Sequence, residues 1–114
     1  MTPIYKIVPA TLWREAEAAG VFAGAPVDLA DGYIHFSTAS QTQETADKHF
    51  SGQTGLLLVA LVAEDFGADM RWETSRGGAL FPHLYAPLKT SAARAVNEIP
   101  LGPDGRHDFT GLLS

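Results

Sequence analysis

Three short segments place chemically reactive side chains at every second position: Tyr33, His35 and Ser37; Arg71, Glu73 and Ser75; and Phe81, His83 and Tyr85. On an extended strand, residues two apart share a face and lie about 6.5–7 Å apart. Each row can therefore present two side chains to one ligand. Histidine works as a general base, a general acid or a hydrogen-bond donor near neutral pH. A carboxylate such as Glu73 performs acid–base work or stabilises positive charge that develops during a reaction. Arg71 and Arg76 can grip an anion through parallel N–H donors. Each residue also has a plainer role. His35 and His83 can be structural histidines, Glu73 an ion-pair partner of Arg71 or Arg76, and Arg76 a solvated turn residue. The rows themselves can be the wet face of an antiparallel sheet. Such faces favour Thr, Lys and Glu, whereas these rows hold two His, two Tyr and a Phe. Aromatic residues beside titratable ones suit a partly dry cleft with few polar anchors. A cleft is thus predicted, with His35 and Glu73 as catalytic candidates. Tyr33, Ser37, Thr38, Arg71, Arg76, Phe81, His83 and Tyr85 are the ligand-binding candidates.

The same alternation predicts the elements that carry these rows. Ile4 to Val8 reads as a strand ended by Pro9, which lacks a ladder donor. Thr11 to Ala19 reads as a helix, with Leu12, Ala16 and Ala19 at helical spacing and Gly20 as its stop. Gly24, Pro26 and Gly32, with Asp28 and Asp31, mark residues 21–32 as a loop. Tyr33 to Ser37 forms a strand with Ile34 and Phe36 turned inward. A helix follows from Ala39 to Phe50, and Thr38 and Gln41 stand in capping-box spacing at its start. Its free N–H groups beside His35 would suit a phosphate or carboxylate. The apolar run Leu56 to Ala63 reads as a central strand covered on both faces. Met70 to Ser75 is a strand, Gly77-Gly78 a tight turn, and Leu80 to Leu88 an edge strand or extended loop because of Pro82 and Pro87. Ala93 to Ile99 is the last strand. The segment from Pro100 onwards, rich in glycine, is expected to be a loosely held tail. Trp13 and Trp72 are expected in the core, His49 and His107 on the surface. The order β-α-β-α followed by strands predicts an α+β fold with a largely antiparallel sheet and two helices in the N-terminal half.

Composition narrows the function classes. A chain of 114 residues fits one domain. Thirteen acidic against eight basic residues give a net charge of −5, with no Lys/Arg cluster. Nucleic-acid binding needs a positive footprint to neutralise phosphates, so that class is excluded. The lack of cysteine excludes disulfides, thiolate zinc sites and cysteine nucleophiles. The four histidines lack close ligand spacing, and no H-E-x-x-H or G-x-S-x-G motif occurs, so no metal is expected. Met1 to Pro9 does not read as an export signal, and Leu56 to Ala63 is far short of the roughly 20 residues that span a bilayer. A cytoplasmic protein is the expectation, with a small molecule or nucleotide as its partner.

The strings Asp31-Gly32-Tyr33-Ile34-His35-Phe36-Ser37-Thr38-Ala39, Arg71-Trp72-Glu73 and Leu80-Phe81-Pro82-His83-Leu84-Tyr85, in this order, resemble the signature of a small bacterial family. That family is called domain of unknown function 952, and the likeness covers roughly residues 3–98. It is grouped by fold with the ADP-ribosyltransferases, which split NAD at the nicotinamide–ribose bond. The resemblance therefore implies an ADP-ribosyltransferase-like fold and NAD as a substrate. In those enzymes a His or Arg on an early strand before a helix binds the NAD ribose, and His35 matches that place. A later glutamate supports the oxocarbenium-like transition state, and Glu73 is the comparable residue. The chain departs from the pattern at Leu56 to Ala63, which is wholly apolar and carries no Tyr or Ser-Thr-Ser motif. Fold never fixes chemistry. A non-catalytic module binding a small molecule or nucleotide and a protein-interaction domain stand as alternatives.

Overall fold

The structure, a computed structural model, describes residues 1–113 and, at Arg76, the backbone alone. The anion clamp expected of the Arg76 side chain therefore lies outside the described residues.

The two most apolar segments pair with each other. β1 (Pro3–Pro9) and β5 (Leu56–Val62) run antiparallel along their whole length, from Pro3 opposite Val62 to Pro9 opposite Leu56. Alternation divides their side chains between two cores. Ile4, Val8, Leu57, Val59 and Leu61 enter one cluster, while Tyr5, Ile7, Leu56 and Leu58 enter the other. The strand read as covered on both faces is so covered. β4 (Ser37–Thr38) and β9 (Ala95–Glu98) complete this sheet in the order β4-β1-β5-β9. On its first face lies α1 (Ala10–Ala19), which buries Trp13 and Ala16 and ends on Gly20 in the left-handed conformation. On its second face lies α3 (Ala39–His49), which buries Thr42 and Ala46.

A second sheet closes over the first core. It consists of β3 (Ile34–His35), β7 (Leu80–Leu84) and β6 (Met70–Thr74), in the order β3-β7-β6. Ile34, Leu84 and Met70 stand opposite one another and all enter the first cluster. The next row, His35, His83 and Arg71, must then face away from that core. β2 (Val21–Phe22) and β8 (Leu88–Lys89) form a short antiparallel pair beside it. Every strand pairing is antiparallel among the described residues, in keeping with the expected α+β architecture. No helix among them is long and apolar enough to cross a membrane.

Six expectations are corrected. Residues 21–32 are not a plain loop: besides β2 they contain α2 (Pro26–Asp31), which opens with proline and ends on left-handed Gly32. The single strand Tyr33 to Ser37 is broken at Phe36, so that β3 joins one sheet and β4 the other. The Pro82 segment is not an edge but the central strand of its sheet. It is tolerated because a residue's N–H and C=O leave a strand on the same side, and the Pro82 carbonyl accepts from Phe36 N–H (3.0 Å). The missing donor thus faces the point where β3 has left the ladder. Trp72 shares the inward parity of Met70 but lies on the outer strand beyond the core, and is 40% exposed. The segment after Pro100 is docked rather than loose. Phe109 is buried in the second cluster with Leu112 and Leu113 against it. His107, expected on the surface, is also buried and donates from Nε2 to the Gln53 carbonyl (2.8 Å).

The docked tail has a measurable consequence. Phe109→Ala removes a buried aromatic side chain and should cost about 3–5 kcal/mol in urea unfolding. A loose tail would leave the midpoint unchanged.

Candidate functional site

Register brings the three rows together. His35 is the cross-strand partner of His83, which in turn opposes Arg71, and Glu73 opposes Phe81. Tyr33 lies over this meeting point. Its ring stacks on His83 at 4.1 Å and approaches His35 at 4.6 Å and Tyr85 at 5.2 Å. The two imidazoles meet edge to face at 5.4 Å, and the Arg71 guanidinium sits 4.4 Å over the Tyr85 ring. Such a cation over an aromatic face holds the ring electrostatically.

Two carboxylate–imidazole pairs organise the face. In the first, Glu73 Oε1 accepts from the Tyr85 hydroxyl (2.7 Å) and from His83 Nδ1 (2.8 Å). Those two hydrogen bonds, Tyr85 first, hold the Glu73 carboxyl below its ordinary range, with His83 and Arg71 adding to the effect. Glu73 is thus an anion at neutral pH, able to stabilise a cation but not to deliver a proton. Tyr85 is pushed up in turn by its bond to Glu73. Burial raises the Tyr33 phenol first, and the nearby charges of Asp31 and Glu73 raise it further. The Tyr33 hydroxyl therefore stays protonated, a donor flanked by two anions.

The second pair is built on Asp28 of α2. Its Oδ1 accepts from the His35 backbone N–H (3.1 Å) and from His35 Nδ1 (2.7 Å). Lys6 Nζ lies 3.0 Å from both Asp28 oxygens and donates to the His35 carbonyl at 3.0 Å. Asp28 Oδ2 also accepts from Ala25 N–H (2.8 Å), which fixes the start of α2. Burial alone would raise the Asp28 carboxyl, but the His35 ring, the Lys6 ammonium and the two backbone donors bring it down to about 2. Burial pushes Lys6 down despite Asp28 beside it. On the outer side, His35 Nε2 meets Asp31 Oδ2 at 2.9 Å.

Of the residues expected at a site, Tyr33, His35, Arg71, Glu73, His83 and Tyr85 converge, with Phe81 on the same face. Ser37 does not: the break at Phe36 sends it into the other sheet, where its buried hydroxyl bonds Thr42 Oγ1 (3.0 Å). Thr38 starts α3, and its N–H is taken by Gln41 Oε1 (3.0 Å) rather than offered to an anion. Two concavities, of about 400 and 300 Å³, lie on the far side near Gln43, Asp47, Arg106 and His107. The rows meet on a sheet face where the His35 and Glu73 side chains are 30% and 37% exposed. No three His, Asp or Glu residues among those described are grouped to hold a metal ion.

Lys6, Asp28 and Asp31 were not singled out as site residues from sequence. Two signals pointed to Lys6 and Asp28, and none to Asp31. Lys6 is a lone charge in an apolar strand, and such charges are buried only when paired. Asp28 follows Pro26 at helix-start spacing. Removing one member of a buried ion pair strands the other, so Asp28→Ala should cost about 3–5 kcal/mol at pH 7. The sign with pH follows from the lowered carboxyl. The folded state binds the Asp28 proton more weakly than the unfolded chain, so this stabilisation is present above about pH 4. It is lost as pH falls through about 2. Urea unfolding of wild type and Asp28→Asn between pH 5 and 2 should show a flatter acid limb in the variant.

Three solved structures of one relative are similar to this chain. A crystal structure of protein CC0527 from Caulobacter crescentus superposes with a TM-score of 0.92 at 50% identity, covering 96% of each chain. Its double mutant gives 0.91 at 49% identity, again over 96% of each chain. Its solution NMR structure gives 0.90 at 49% identity, over 100% of this chain and 98% of that one. No curated protein matches significantly. The model of the family described as protein of unknown function (DUF952) matches residues 7–96. With the strand rows inside that span, the chain belongs to the DUF952 family.

Proposed function

We propose that the His35–His83 face binds a ribosylated nucleotide, with NAD the first candidate, and acts at its glycosidic bond. The observation that carries this is Glu73: a carboxylate kept ionised by Tyr85 and His83, with His83 standing between it and His35 on the same sheet face. The grouping of the family by fold with the ADP-ribosyltransferases, as expected from the sequence, would give roles to the same pair of residues. In the reaction the bond from ribose C1′ to the nicotinamide nitrogen breaks, and its electron pair leaves with nicotinamide. Positive charge builds on the ribose, where a fixed anion stabilises it. Water then adds at C1′ and releases a proton. His35 Nε2 would hold the ribose hydroxyls after displacing Asp31, Glu73 would oppose the cationic centre, and Tyr33 and Tyr85 would pack against the rings.

A second reading, binding without turnover, is favoured by the openness of the face. Catalysis of this kind gains from excluding water, and a half-exposed carboxylate is well solvated. Thermal unfolding with NAD, ADP-ribose and nicotinamide, together with nicotinamide release, separates the two. Ligand at a hundredfold excess over Kd should add about 2.7 kcal/mol of stability. Under the catalytic reading, Glu73→Gln should reduce nicotinamide release by about 10²–10³-fold, the size seen when one stabilising group is removed from a developing charge. Stabilisation without release leaves the binding module. No stabilisation by any of the three compounds rejects both.

A further inference from the structure

One feature of the face is not explained by packing. Lys6 and Asp28 are buried, with side-chain exposures of 6% and 0%. Burying an ion pair removes two charges from water, and well-packed apolar residues of the same volume are commonly as stable or more so. The chain nonetheless shapes itself around this pair. Gly24 has a φ of +134°, and a Cβ there would come within 2.9 Å of Asp28 Cβ, the stem of the side chain rather than its flexible end. Only glycine meets both conditions. Asp28 spends one oxygen, Oδ1, on both the backbone and the ring of His35, while Oδ2 ties down Ala25. Lys6 closes the arrangement from beneath by bonding the His35 carbonyl. His35 is therefore held at three points, N–H, C=O and Nδ1, by two residues that never reach the surface.

We propose that Asp28, anchored by Lys6, is a positioning residue that keeps the hydrogen on Nδ1 of His35 and fixes its ring, aiming Nε2 outward to the ligand face. An ionised carboxylate only accepts hydrogen bonds, so a nitrogen beside one must donate to it. The neutral ring has one hydrogen for two carboxylates, and buried Asp28, which has no water to turn to, claims it over the exposed Asp31. The nitrogen that remains, Nε2, points to Asp31, an exposed side chain that a ligand can replace. Carboxylate partners orient metal-ligating imidazoles in the same way. The placement of the hydrogen stands by itself; its use in recognition rests on the nucleotide reading above.

The test is long-range ¹⁵N–¹H correlation of the imidazoles at pH 9, with His35 assigned by its loss in His35→Ala. Wild type should show a hydrogen on Nδ1, and Asp28→Asn should lose that preference with its amide spectrum otherwise retained. If the lone Lys6 charge prevents Asp28→Asn from folding, Lys6→Met/Asp28→Asn removes both charges and is read in the same way. A wild-type hydrogen on Nε2 alone, or an unchanged pattern in the folded variant, overturns the proposal. In parallel, the folded variant should bind NAD at least about tenfold more weakly, the size of effect of outer partners of ligating histidines. Should wild type show the Nδ1 hydrogen but no response to NAD, the nucleotide reading fails while the positioning role stands.

Discussion

The structure depends on one aligned apolar row. Ile34, Leu84 and Met70 lie side by side across three strands and are buried in the same core. Because side chains alternate, their burial compels His35, His83 and Arg71 to the opposite face in matching register. A slip of one residue in any strand would exchange the two sets and expose the apolar row. The convergence of polar side chains on the open face is thus enforced by the hydrophobic effect on the other.

That face is not left to surface sterics. Each histidine is fixed by a carboxylate at Nδ1, Asp28 for His35 and Glu73 for His83, and the two carboxylates differ in setting. Asp28 is buried beside a lysine and belongs to the framework, whereas Glu73 is half-exposed and available to a ligand. Tyr33 bridges both imidazoles and covers His83, which is why a strand histidine next to a surface row is itself only 4% exposed. The result is a preorganised anionic and aromatic surface.

Much of this was legible in the order of residues. The period-two rows in 70–75 and 80–85 identified strands and their faces, since alternation is a local property of extended backbone; the row in 33–37 did so only up to Phe36, where the strand breaks. The apolar run in 56–63 announced a strand covered twice. Other elements were hidden because their cause is not local. α2 has only six residues and two glycines around it, so composition reads as a loop; it is held by the long-range bonds of Asp28 to Lys6 and His35. Pro82 reads as an edge signal, yet the strand beside it ends where its missing donor would have pointed. Phe109 carries no periodic pattern, and its burial depends on a groove made by β1, β5 and α3.

By itself the sequence determined the antiparallel α+β character, the absence of thiol chemistry and the identity of the residues that alternate toward solvent. Those follow from side-chain type and backbone period, which act over a few residues. Only the tertiary structure decided that three of the rows share one face, that Ser37 leaves it, and that Lys6 and Asp28 stand behind His35. Those depend on strand register and on a buried charge finding its partner 22 residues away. Neither is set by neighbours in sequence, because both are fixed by which distant surfaces are buried together.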